Sequence, residues 1–179
     1  MIERLMSVRE GLLLGILAVA YGWGLGVAFG AAEDALKGGL EASAEASRAV
    51  YLEKANGDAE AAAASMKATV DKAWNYYQRA HLHAGAIGAI AIGLSLVLGF
   101  LDGASKLRRI ASGLLGFGAI GYPLFWMLAA QRAPGLGSTG AAKESLAWLA
   151  VPSTGALVVG LVLSFGLLAA RLYASRTAP

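Results

Sequence analysis

The sequence predicts an all-α fold: a four-helix transmembrane bundle with an extracytoplasmic helical hairpin between spans 1 and 2. Three observations predict it. First, the 179 residues are 57% hydrophobic and only 15% charged, with a mean hydropathy of +0.58, where a soluble domain carries about 25% charged residues. Second, the charges are segregated, leaving four stretches with none: Gly11 to Ala32, Ala84 to Leu101, Ile110 to Gln131 and Leu146 to Ala170. Each is close to the roughly 20 residues a helix needs to cross the hydrocarbon core. Third, the long polar segment Glu33 to Ala80 is rich in Ala, Glu and Lys, which favour helix. The chain reads as a single membrane domain, residues 1–179, with a hairpin insert at 33–80.

In chain order, Arg4 and Arg9 precede the first apolar run, and Ala28-Phe29-Gly30 has the look of a small-residue cleavage site. The run exceeds the signal-peptide core of about 7–15 residues, so it is expected to be an uncleaved signal anchor and first span. In the polar segment, Asn56-Gly57-Asp58 marks the turn: Gly57 suits the C-terminal cap of one arm and Asp58 the N-cap of the next. After the turn, Met66, Val70, Trp74 and Tyr77 recur at helical spacing as one apolar stripe, and Leu36, Leu40 and Ala44 begin a matching stripe on the first arm. The stripe is either the surface the hairpin presents to a partner or its contact with its own first arm. No proline occurs between Asp58 and Leu101, so the second arm is expected to continue into the second span as one helix of about 40 residues and about 60 Å. Gly85 and Gly88 can bend it without breaking it. Asp102 to Lys106 is a plain turn with Asp102 as a cap, and the loop Ala133 to Gly140, with Pro134 and three glycines, is expected to be irregular.

Positive charge in short loops sets orientation. Arg4, Arg9, Lys106, Arg108, Arg109, Arg171 and Arg176 fall on one side of a four-span chain, Arg132 and Lys143 on the other. Both termini are therefore expected in the cytoplasm, with the protein multi-pass in the inner membrane and the hairpin outside.

Small residues recur four apart: Gly22, Gly26 and Gly30 on the first span, Gly85, Ala89 and Gly93 on the second, Ala156, Gly160 and Ser164 on the fourth. Such faces let helix backbones approach closely in lipid. They predict a tight bundle, and they also leave room for a flat cofactor. Pro123 and Pro152 lie inside spans, where each withholds a hydrogen bond from the carbonyl four residues earlier, Ala119 and Trp148. Trp23, Tyr122, Trp126 and Trp148 map to the outer leaflet, as an aromatic belt or as the wall of a pocket.

Several chemistries find no support. Cysteine is absent, and with it disulfides, thiolate metal sites and thiol redox. No phosphate-binding glycine loop suggests a nucleotide, and no basic run with aromatics suggests nucleic acid. The charge-free spans lack the ionisable residues on which transporters and proton pumps rely. Glu33-Asp34, just outside the first span, is either a solvated pair or a contributor to a cation site with a histidine.

The remaining lead is His81 and His83, the only histidines, at the entrance to the second span. Two residues apart on a helix, they point roughly 200° from each other, so they cannot grip one ion or supply both axial ligands of one haem. The segment His81-Leu82-His83-Ala84-Gly85-Ala86-Ile87-Gly88 resembles the His-x-His entrance to a span in haem-copper-oxidase-like membrane proteins, over these eight residues. The resemblance implies that a histidine near the outer side of the helix ligates a b-type haem. No third histidine exists for the opposite position, which would fall to Met127, a neighbouring protomer or a partner subunit. The expected role is a structural or accessory membrane subunit, in a homo-oligomer or larger complex, that packs through its glycine faces and presents the hairpin to a partner. The alternative is a redox subunit holding haem b or a quinone in the outer leaflet. A membrane sensor is a third reading, for which no cytoplasmic output domain is evident.

Overall fold

The computed structural model describes residues 2–102 and 105–176. Gly103 and Ala104 of the expected turn, and the side chain of Arg176, lie outside what is described. The helices are α1 (Ile2–Met6), α2 (Arg9–Ala46), α3 (Arg48–Lys54), α4 (Ala59–Phe100), α5 (Ser105–Gly135), α6 (Thr139–Glu144) and α7 (Ala147–Arg176). No strand occurs among the described residues. α2, α4, α5 and α7 each carry an apolar stretch long enough to cross a membrane. The fold is therefore the predicted all-α bundle, and the chain is a multi-pass membrane protein.

Two of the four long helices do not stop at the bilayer. α2 runs on through the polar segment, with one non-helical residue at Ala32 (φ −142°, ψ 30°), and breaks at Ser47. α4 is one helix of 42 residues, about 63 Å long at 1.5 Å per residue, as its lack of proline predicts. The turn between the arms is built as its residues dictate. Asn56 (φ 54°) and Gly57 (φ 86°) take left-handed conformations, the Gly57 N–H donates to the Leu52 carbonyl at 2.8 Å, and the Asp58 carboxylate accepts from the Glu60 and Ala61 N–H groups. Below the hairpin, the α4 stretch from Ala80 to Phe100 rises about 30 Å, the thickness of a hydrocarbon core. Arg79 and Asp102 bracket it.

The bundle is not a symmetric square. α2, α4 and α5 pack mutually, and α7 packs chiefly on α5. Half of α5's most apolar stretch is buried, against 17% of α7's. The packing faces are small, as expected, though not always at the expected positions. On α2, Gly11, Gly15, Ala18 and Gly22 are buried, and a Cβ on Gly22 would lie 2.9 Å from the Gly85 amide nitrogen. Gly26 also packs, but Gly30 faces open space. On α4 the buried face is Ala84, Gly88, Ala91 and Ser95. Ala89 and Gly93 are exposed, and nothing would crowd a Cβ at Gly85 or Gly93. A strict four-residue repeat turns about 40° per step away from a fixed partner, so the contact line follows 84, 88, 91, 95 instead. Ala156, Gly160 and Ser164 are buried as predicted, and a Cβ on Gly160 would lie 3.0 Å from the Leu115 nitrogen.

The loops are shorter than expected. α5 continues through Pro123 and Pro134 to Gly135, and α6 begins at Thr139 on the Ser138 hydroxyl, which accepts from the Ala141 N–H. Only 136–138 of the predicted irregular loop is non-helical. Pro152 likewise sits inside an unbroken α7. At the termini end, Asp102 is engaged in ion pairs. α4 ends on Leu101, and Asp102 pairs with Arg4 at 2.9 Å and Arg171 at 3.0 Å, tying α1 to α7. The buried Arg108 guanidinium takes up the end of α4 by donating to the Leu98 and Leu101 carbonyls.

Candidate functional site

At the hairpin end of the bundle the helices build an aromatic and cationic layer. The two histidines face opposite ways within it. His81 turns toward α2, where its Nδ1 lies 2.7 Å from the Gly22 carbonyl oxygen. A carbonyl only accepts, so Nδ1 carries a proton and donates it. Gly26 makes room for the ring: a Cβ there would stand 2.8 Å from His81 Cε1. Phe29 meets the ring edge-on at 5.9 Å. His83 turns toward α5, with its ring 5.1 Å from Tyr122 and its Nδ1 buried without a partner. The helix-geometry expectation that the pair cannot share a ligand agrees with this placement.

Met127 is not brought to either histidine. It packs against the core of the hairpin end, five residues and about 7.5 Å along α5 from Tyr122. Glu33 pairs with Lys37, and no group of three or more His, Asp or Glu side chains capable of holding a metal occurs among the described residues.

The predicted docking stripe divides. Val70 (8% exposed) and Tyr77 (6%) belong to the protein's own core, with Leu40, Ala44, Tyr51 and Ala73. They pack against the first arm and are not a free surface, while Met66 and Trp74 are partly buried against the same core. Outside them, between the two arms, lies a cleft of about 590 Å³ floored by Gly38, Ala42, Met66 and Val70 and rimmed by Glu41, Glu45, Lys67 and Asp71. The core continues across the bundle to Ala130, Ala133, Ala142 and Leu146. Two polar ties fix α3 there: the Tyr51 hydroxyl donates to the Pro134 carbonyl at 2.8 Å, and Lys54 Nζ donates to the Gly137 carbonyl at 2.9 Å. Burial holds the Tyr51 hydroxyl above the ordinary tyrosine range, with Thr69 pulling the other way.

The expected aromatic belt splits in the same manner. Trp23 and Trp148 are exposed on the lipid-facing side, whereas Trp126 and Tyr122 turn inward, and the Arg79 guanidinium stacks 4.6 Å from the Trp126 ring centre. Arg79 escaped the sequence reading, although a cation one turn ahead of His83 at the start of an apolar stretch is a visible signal. A second omission is the junction of three helices where the Ser112 hydroxyl donates to the Val8 carbonyl at 2.9 Å and meets the Ser95 hydroxyl at 2.9 Å. Set against protein-family models, curated proteins and solved structures, the chain matches none.

Proposed function

We propose that this protein is an accessory subunit of a membrane assembly, anchored by four spans and engaging a partner through the cleft between the hairpin arms. The observation that carries it is the pairing of a closed core with an open cleft on the same two helices. The core and the unbroken α4 carry the hairpin on from the bundle, so whatever fills the cleft rests on helices that are also spans. The floor is apolar, and Glu41 on the rim makes no ion pair among the described residues. That chemistry suits a polypeptide segment with apolar and basic side chains. With Arg4, Arg9, Arg108, Arg109 and Arg171 at the opposite end, the reading takes both termini as cytoplasmic and the membrane as the inner one. The test is a photoreactive residue at Lys67, whose side chain is 79% exposed. In native membranes it is expected to capture a polypeptide, while the same residue at lipid-facing Trp23 captures none. Only lipid or intramolecular products from Lys67 would overturn the reading.

A second reading is favoured by one observation. His81 donates its Nδ1 proton to a backbone carbonyl, the pose that orients a metal-ligating histidine. A redox subunit with a b-type haem would hold it through His81 Nε2 and draw a second protein ligand from a partner. It predicts a Soret band in the intact assembly that His81→Ala abolishes and His83→Ala leaves.

A further inference from the structure

Because α7 leans on α5 and barely meets α4, a groove opens between α4 and α7 with α5 as its floor. Its hairpin-side hollow, about 170 Å³, is lined by Ile87, Ile90, Ala91, Leu115, Leu157 and Leu161. A smaller one of about 60 Å³ follows it toward the termini end, past Leu94, Ser164 and Leu168. Arg79, His83, Ile87 and Ile90 follow one another at spacings of four, four and three, which places them on a single face of α4. The cationic layer therefore forms the head of the same groove.

We propose that this groove holds one anionic phospholipid of the hairpin-side leaflet, its phosphate met by Arg79 and His83 and one acyl chain lying along Ile87, Ile90, Leu157 and Leu161. Charge selects the headgroup. Arg79 has no carboxylate within ion-pair distance among the described residues. Its ring contacts with Trp126 and Tyr76 hold the guanidinium at the groove head while leaving its N–H donors unused. A phosphate offers those donors charge-assisted hydrogen bonds. His83 adds a donor in the tautomer that protonates Nε2, its Nδ1 being buried and unpartnered. Length selects the leaflet: from Arg79 to Ala91 is about 18 Å of helix, close to half of a roughly 30 Å hydrocarbon core. Width selects a chain over a helix, because hollows of this volume do not admit a helix of about 10 Å diameter.

The test is native mass spectrometry of the full chain released from nanodiscs of equal phosphatidylglycerol and phosphatidylcholine with identical acyl chains. The expected result is one retained lipid per protein, with phosphatidylglycerol favoured severalfold: both lipids offer the phosphate, but choline would set a second cation beside Arg79. Arg79→Gln is expected to erase the preference and Arg79→Lys to keep most of it. Ile90→Trp, at a position 52% exposed along the groove, is expected to lower retention of both lipids. Equal retention of the two lipids by the unaltered protein, or an Arg79→Gln protein with its preference intact, overturns the proposal. So does displacement of the retained lipid by inorganic phosphate, which would make the head a free-phosphate site. A dimer mass abolished by Ile90→Trp would assign the groove to a second copy instead. Arg79 and Ile90 are both exposed, so neither variant disturbs the core.

Discussion

Gly11 stands where α2, α4 and α5 converge, and a Cβ there would run into the side chain and carbonyl of Ser112 and meet the Ser95 hydroxyl. The backbone cannot step aside, because Ser112 is tied to Val8, the N-cap residue of α2. Gly11→Ala is therefore expected to destabilise the bundle by about 1–3 kcal/mol, the range for overpacking a fitted core. Gly24 lies on the same helix with nothing near its Cβ position. Gly24→Ala is expected to be neutral or to gain up to about 1 kcal/mol from helix propensity. Unfolding titrations in mixed detergent measure both, and equal effects would show that Gly11 is not a contact point. At this scale the sequence showed that glycines matter and that the two histidines diverge. It could not show which glycines touch, since a repeat of four fits several faces of a helix and only the partner's position chooses among them.

At the scale of elements, the hairpin is fastened to the bundle through α3. Tyr51 is 1% exposed, and its hydroxyl provides the Pro134 carbonyl with a donor. That carbonyl closes a helix end and also accepts the Gly137 N–H at 3.2 Å, so the tyrosine supplies its second bond. Tyr51→Phe is expected to loosen α3 by about 1 kcal/mol, the net worth of one such bond, seen as faster protease cleavage near Asn56–Asp58 with the spans intact. The pH dependence follows from the direction of the shift. Burial raises the folded-state pKa of Tyr51 above its unfolded value near 10. Its contribution is therefore fully present below about pH 10 and is lost as pH rises through the higher folded value. Cleavage of the wild-type hairpin is expected to accelerate above pH 10, while the Tyr51→Phe hairpin, already loosened, shows no such step. The turn beneath this tie was readable because Asn56, Gly57 and Asp58 act through local conformation and capping. The tie itself was not, because Tyr51 and Pro134 are 83 residues apart and no local pattern links them.

For the whole molecule, four charge-free runs sufficed to give the number of spans, since desolvation of the helix surface depends on composition alone. The lopsided packing of α7, and the groove it leaves, depends on how side chains of one helix fit another and had no linear signature. Orientation rests on charge, and the fold sharpens that argument. The termini end gathers Arg4, Arg9, Arg108, Arg109 and Arg171 around the carboxylates of Glu3, Glu10 and Asp102, and exposed pairs of this kind contribute about 0–1 kcal/mol each. Stability therefore does not explain the arginine excess, whereas the proposed cytoplasmic placement of this end would. Two consequences separate the roles. Asp102→Asn, which removes two such pairs, is expected to leave unfolding unchanged within about 2 kcal/mol and to leave the topology unchanged. Replacing Arg4 and Arg9 by Glu, with Arg108 untouched because it closes α4, is expected to yield a mixed-orientation population. Protease protection in sealed vesicles reports it through a cleavage site at Gly57. In the wild type that site is expected to be cut only from the extracytoplasmic face, and cleavage from the cytoplasmic face would invert both the orientation and the leaflet assigned to the α4–α7 groove.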